Sequence, residues 1–140
     1  ECMVFARAAA RRIAATPGNA VSTALPWRPA SAQAVVERDI ADRLDGLRRL
    51  MWECAGIVRS GEQLDRAAAR IAQLRRETET VYTQARITRD LIELRNLGQV
   101  AQLIVQSARA RLESRGLHYR LDHPHLASSA APTLLAPVGV

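Results

Sequence analysis

From Ile87 to Leu112, apolar and small residues recur at alternating intervals of four and three: Ile87, Leu91, Leu94, Gly98, Ala101, Val105, Ala108 and Leu112. At about 100° per residue, such a series stays on one side of an α-helix and makes a packing seam. Leu97, Val100 and Ile104 fall beside that seam, and Ile92 and Leu103 lie further round. Only Arg95, Gln99, Gln102, Gln106 and Glu113 form a plainly wet stripe. More than half of the circumference is therefore apolar. A helix of this kind needs neighbours on more than one side, which constrains everything else the chain can do.

Two companions precede it. Val36, Ile40, Leu44, Leu47, Met51, Cys54 and Val58 mark a helix over residues 32–59, with Gly46 a weak point of about 1 kcal/mol against Ala that leaves room for a kink or break. Ser60-Gly61-Glu62-Gln63 matches a capping box and starts a second helix, whose seam is Leu64, Ala67, Ile71, Leu74, Thr78, Val81 and Ala85. Short joints at Ser60 and near Arg86 cannot span a helix of about 25 residues, roughly 37 Å long, so consecutive helices must run antiparallel. The fold expected is all-α: an antiparallel up-down-up three-helix bundle over residues 32–116, spectrin-repeat-like, with Gly116 as its left-handed terminator. No alternating run suggests a strand.

Residues 1–16 read as a short helix with Val4, Ala8 and Ile13 on its apolar side and no cap in front, as if its beginning had been removed. Residues 17–31 contain three prolines and read as a linker lying over a surface, with Trp27 as an anchor. Residues 117–140 read as an extended tail, its last dozen residues mobile or draped over the surface.

The net charge of +6 invites a nucleic-acid partner, but all 20 basic residues are arginine and they are dispersed among acids rather than gathered in a block. That pattern argues against nucleic-acid binding. No run is apolar enough to cross a membrane and no signal peptide leads the chain. Cys2 and Cys54 form no CxxC pair, fitting small buried hydrophobes in a reducing cytoplasm.

Catalysis would need a nucleophile, metal or cofactor beside an acid or base, and no such cluster is legible. His118, His123 and His125 are close in sequence, but no Cys stands near them to complete a zinc site. There is no glycine-rich phosphate loop, GxSxG or HExxH. Arg115, His118, Arg120 and Asp122 make a polar turn suited either to an anion or to tying the bundle's end to a cover. Glu93 and Arg111 are charges on an apolar flank and call for partners, either in water or across an interface. Trp52 and Tyr82 read as packing residues.

Three strings carry a resemblance: LRRLMWECAGIVRSGEQLDRA (Leu47 to Ala67), IELRNLGQVAQLIVQSA (Ile92 to Ala108) and ESRGLHYRLDHP (Glu113 to Pro124). In these the chain resembles the C-terminal part of the L-aspartate oxidases, within the succinate dehydrogenase and fumarate reductase flavoprotein family. Succinate dehydrogenase and fumarate reductase subunits themselves tend to follow the His-x-Arg segment with Asp-Tyr-Pro, where this chain has Asp122-His123-Pro124. The resemblance implies a flavin-binding α/β domain, a capping domain and a C-terminal three-helix bundle docked on the first. It also implies oxidation of L-aspartate to iminoaspartate, with hydride passing to noncovalent FAD and electrons to oxygen or fumarate, in NAD biosynthesis. The FAD-contacting and catalytic residues of that family lie outside these 140 residues, so none is carried onto a position here.

The expectation is thus a structural domain, inactive and FAD-free by itself, with residues 1–16 a remnant of the flavin-binding domain. Its contact with that domain is expected through Glu93, Leu97, Val100, Ile104, Arg111, Arg115, His118, Tyr119, Arg120 and Asp122. Alone, it is expected to self-associate over the apolar flank. The competing class is a stand-alone helical module binding a protein or RNA.

Overall fold

Two hydroxyl caps cut the chain into its helices. Ser60 and Thr88 both sit in extended backbone, and their side chains accept from the amides of Gln63 and Leu91, at 3.3 Å each. Each satisfies an amide that a helix start leaves unpaired. Gln63 does not reach back as a full capping box would; the Ser60 hydroxyl donates to its Oε1 instead. The computed structural model describes residues 2–16 and 37–136. In order these form α1 (Cys2–Ala15), α2 (Glu37–Ala55), β1 (Val58–Arg59), α3 (Gly61–Gln84), α4 (Arg89–Ala110) and β2 (Tyr119–Arg120). The structure is thus mostly helical, with one very small sheet.

Helices α2, α3 and α4 each pack against the other two. The core is the set of seams: Ile40, Leu44, Leu47 and Cys54 from α2, Leu64, Ala67 and Ile71 from α3, and Leu91, Leu94, Ala101, Val105 and Ala108 from α4. Thr78, buried among them, donates its hydroxyl to the Leu74 carbonyl at 2.7 Å and so brings no unpaired polar atom inside. Cross-helix pairs report the register. Going up α4, Arg95 meets Glu79, Gln99 meets Arg75 and Arg109 meets Asp65, stepping down α3. Those two helices run antiparallel. Arg43 reaches Glu77 from α2 at 2.7 Å. Being exposed, such pairs contribute about 0–1 kcal/mol each, so the apolar seams carry the stability.

Several sequence expectations need correcting. Residues 32–36 lie outside the described residues, and α2 runs without a break through Gly46 but stops at Ala55, not Arg59. Gly56 explains the stop: a Cβ there would stand 2.7 Å from the Trp52 carbonyl oxygen, so only glycine lets the chain turn away so tightly. Helix α4 ends at Ala110, short of Gly116. Gly116 is left-handed, with φ of 60°, but serves a tight turn in which Arg115 and His118 exchange backbone hydrogen bonds at 2.9 and 3.1 Å. The all-helical expectation missed β1 and β2, which pair in parallel, Val58 with Tyr119 and Arg59 with Arg120. Leu112 leaves the seam and is exposed.

Helix α1 matches the short helix expected, yet Met3, Val4, Phe5 and Ile13 are all exposed. The linker over 17–31 and its Trp27 lie outside the described residues. The proposed split of apolar positions into seam and flank has a direct test in urea unfolding. Ile71→Ala, at a fully buried site, should cost about 2–5 kcal/mol. Val100→Ala, at a site half open to water, should stay within about 1 kcal/mol of the parent.

Candidate interaction surface

The segment after α4 folds back because its charges find partners nearby. Arg120 is 3% exposed, and its guanidinium holds both oxygens of Asp122 while Nη1 donates to the Ala108 carbonyl at 3.2 Å. Asp122 Oδ2 also accepts from the Gly61 amide at 3.1 Å, at the start of α3. One buried guanidinium thereby joins the end of α4, the start of α3 and β2. The fork geometry of arginine suits this three-way contact. Arg120 and the neighbouring amides hold the Asp122 carboxyl well below its ordinary range.

Glu113 does the same for the tail. It is 4% exposed, takes Arg111 on one oxygen at 2.6 Å and Arg115 on the other at 2.9 Å, and accepts from the Ala127 amide at 3.0 Å. That backbone bond first, then the two arginines, lowers its pKa. Arg111 continues to the Ala131 carbonyl and the Thr133 hydroxyl, and Ser114 receives the tail through the carbonyls of His123 and His125. These bonds hold the tail as far as Thr133.

His118 sits between Arg59 and the end of α4. Its Nδ1 lies 2.8 Å from Arg59 Nη1, which is always a donor, and its Nε2 lies 3.1 Å from the Arg111 carbonyl, which is always an acceptor. Only the neutral Nε2–H tautomer satisfies both. Burial is the largest influence and pushes its pKa down; the Arg111 carbonyl pulls the other way, and the charges of Arg59, Arg120 and Arg111 each add a smaller downward push.

Next to this turn the apolar flank is open. Leu97 is half-buried, Val100 and Ile104 are 49% and 43% exposed, and Leu103 is similarly open. Leu97, Val100 and Ile104 line a trough of about 540 Å³ between α2 and α4, with Met51 and Trp52 opposite and Arg59 at one end. Trp52 is 84% exposed, so it is a rim residue and not the packing residue its type suggested.

The structure thus sorts the ten expected contact residues. Leu97, Val100 and Ile104 form one wall of the trough, and Tyr119 is exposed on the turn. Glu93 finds its charge partner inside the chain, Arg48 at 3.6 Å on α2, and Arg111, Arg115, Arg120 and Asp122 are satisfied by one another and by Glu113. Sequence reading missed Trp52, Ile57 and Arg59 as exposed or groove-lining residues. Trp52 stands one position beyond Met51, about 100° off the α2 seam, a phase that already pointed away from the core. Among the described residues, no three His, Cys, Asp or Glu side chains gather as metal ligands would.

Comparison with known families shows what the chain is similar to. The model for the fumarate reductase flavoprotein C-terminal region matches residues 44–130. The chain belongs to that family. An L-aspartate oxidase of Pseudomonas aeruginosa is 47% identical over 140 residues, and the L-aspartate oxidase 1 of Ralstonia nicotianae is 43% identical over 141. Each alignment takes in 98% of this chain and 26% of the relative. A chloroplastic L-aspartate oxidase 2-a of Nicotiana tabacum is 43% identical over 97 residues, covering 65% of this chain and 15% of its own length. The chain spans about a quarter of the length of its bacterial relatives. The matched region includes the caps, the trough and the Arg120 turn.

The pH dependence of folding follows from His118. Its folded pKa is depressed, so below about pH 6.5 the unfolded chain takes up a proton the folded chain refuses. That stability is complete above pH 6.5 and is lost as pH falls toward the folded value. Chemical denaturation of His118→Asn between pH 7.5 and 5.5 should show a shallower loss than the parent. Equal slopes would show that other groups govern this range.

Proposed function

We propose that this chain is the C-terminal helical domain of an L-aspartate oxidase, whose full length oxidises L-aspartate to iminoaspartate with FAD in NAD biosynthesis, using oxygen or fumarate as acceptor. The relatives aligned over 98% of the chain all carry that activity in their names, which supports the reading. The observation that carries the domain's own role is the open trough. Leu97, Val100, Ile104, Met51 and Trp52 present a continuous apolar wall that a solitary domain has no reason to expose. We assign it to the flavin-binding body of the same polypeptide, with Tyr119 and the Arg115–Asp122 turn at the edge of the contact.

On this reading, residues 32–116 are an up-down-up, spectrin-repeat-like three-helix bundle, supported by the mutual packing of α2, α3 and α4 and the antiparallel register of α3 with α4. Residues 1–16 belong with the flavin-binding body, residues 17–31 link it to the bundle, and residues 117–140 close the bundle's end. The exposed apolar side chains of α1 favour that assignment. The residues here do not suit FAD itself: Arg111, Arg115 and Arg120 are spent on Glu113 and Asp122, and there is no glycine-rich turn to cradle a pyrophosphate. FAD and aspartate would be held elsewhere in the full-length enzyme. We place the protein in the cytoplasm; no described helix is long and apolar enough to cross a membrane, and Cys54 is a buried free thiol.

The test compares this chain with a full-length protein containing it. The full-length form should retain FAD and release peroxide in the presence of L-aspartate, and the chain alone should do neither. Aspartate turnover by the chain alone would overturn the assignment. Sedimentation of the chain alone should show dimers or larger species at high concentration, through the trough; a monomer throughout would contradict an apolar face in need of cover.

A further inference from the structure

The trough contains a cation that has no counter-ion among the described residues. Arg59 lines both the α2–α4 trough and the adjoining groove built from Leu103, Ile104, Ser107 and Thr133. Its guanidinium is held in place: Nε donates to the Gly56 carbonyl at 2.5 Å and Nη1 to His118 Nδ1 at 2.8 Å. Both partners are neutral. Arg48, which also lines the trough, pairs with Asp45 and Glu93, and Arg111, Arg115 and Arg120 in the neighbouring turn each hold a carboxylate within 3 Å. Arg59 has none among the described residues. Burial pushes its pKa down and no carboxylate pulls it back.

A partly buried charge held rigid by neutral groups is costly unless something else compensates it. Here it stands at the junction of two apolar grooves, close to an exposed tryptophan and a methionine. Trp, Met and Arg are the residue types enriched at protein interfaces, and a central arginine is a frequent hot spot. We propose that Arg59 is the polar anchor of this face and that the surface docking there presents a carboxylate within an apolar surround. The inference rests on the trough being the docking face of the flavin-binding body, and adds the chemistry of the group that body must bring. His118 acts through Arg59: its neutral Nδ1 fixes one edge of the guanidinium and leaves Nη2 for the incoming carboxylate. In a face emptied of water, that charge-assisted pairing is stronger than an exposed one.

The anchor can be read on this chain with small probes. Hexanoate and hexanamide have the same carbon skeleton and differ in charge. In a Trp27→Phe background, each is titrated while Trp52 fluorescence and the Arg59 side-chain NMR signal are followed. Hexanoate should bind about 5- to 10-fold more tightly, the effect of one charge-assisted hydrogen bond, with the Arg59 signal moving only for hexanoate. The preference should vanish in Arg59→Met. Equal affinities in the parent, or a preference that survives Arg59→Met, would overturn the anchor while leaving the apolar docking face intact. If neither probe perturbs Trp52, the docking face fails and the anchor with it. The parent's own NMR shifts decide the matter even if Arg59→Met is too unstable to study.

Discussion

The structure depends on a shortfall of cover. Helix α4 is apolar over more than half its circumference, and α2 and α3 together cover only the seam from Leu91 to Ala108. Burial of that seam holds the three helices together, at about 25 cal/mol for each Å² of apolar surface removed from water. What is left over, Val100, Leu103 and Ile104 with the half-buried Leu97, and Ile92 further round, is apolar surface of α4 that folding of these residues does not satisfy. The same excess that nucleates the core therefore leaves the chain with a surface that gains from a partner.

A second constraint shapes where that surface ends. Charged groups near the end of α4 are drawn inward and satisfied locally, Arg120 by Asp122 and the Ala108 carbonyl, Glu113 by Arg111 and Arg115. Breaking one member would strand a buried charge, which is far more costly than losing an exposed pair. This clasp fixes β2 against β1 and holds the tail across the end of the helices as far as Thr133. Arg59 then stands between the satisfied clasp and the unsatisfied trough, belonging to both.

The helical seams were legible in the sequence because a period of 3.6 is written in side chains, and the buried positions of α4 follow it residue by residue from Leu91 to Ala108. The Ser60 start was legible because a cap is a local event. What could not be read was settled by tertiary contacts. Helix α2 ends at Ala55 because Gly56 packs against the Trp52 carbonyl, and α4 ends before Gly116 because Glu113 is claimed by two arginines and the Ala127 amide. The two-residue pairing of β1 with β2 joins segments some sixty positions apart and leaves no alternating pattern to find. The apolar flank of the site was visible in the sequence. Glu93 and Arg111, whose partners the sequence left open, pair inside the chain, whereas Arg59, unremarkable in the string, has no carboxylate among the described residues. Trp52 was judged by residue type when its helical phase was the better guide.

The central claim, that the α2–α4 trough is covered in the full-length protein, is tested most directly by the accessibility of Trp52. Acrylamide quenching of Trp52, with the other tryptophans replaced, should be efficient in this chain, where the ring is 84% exposed, and weak in the full-length protein. Quenching that is equally efficient in both would mean that the trough faces water even when the rest of the polypeptide is present, and the account of this face would be wrong.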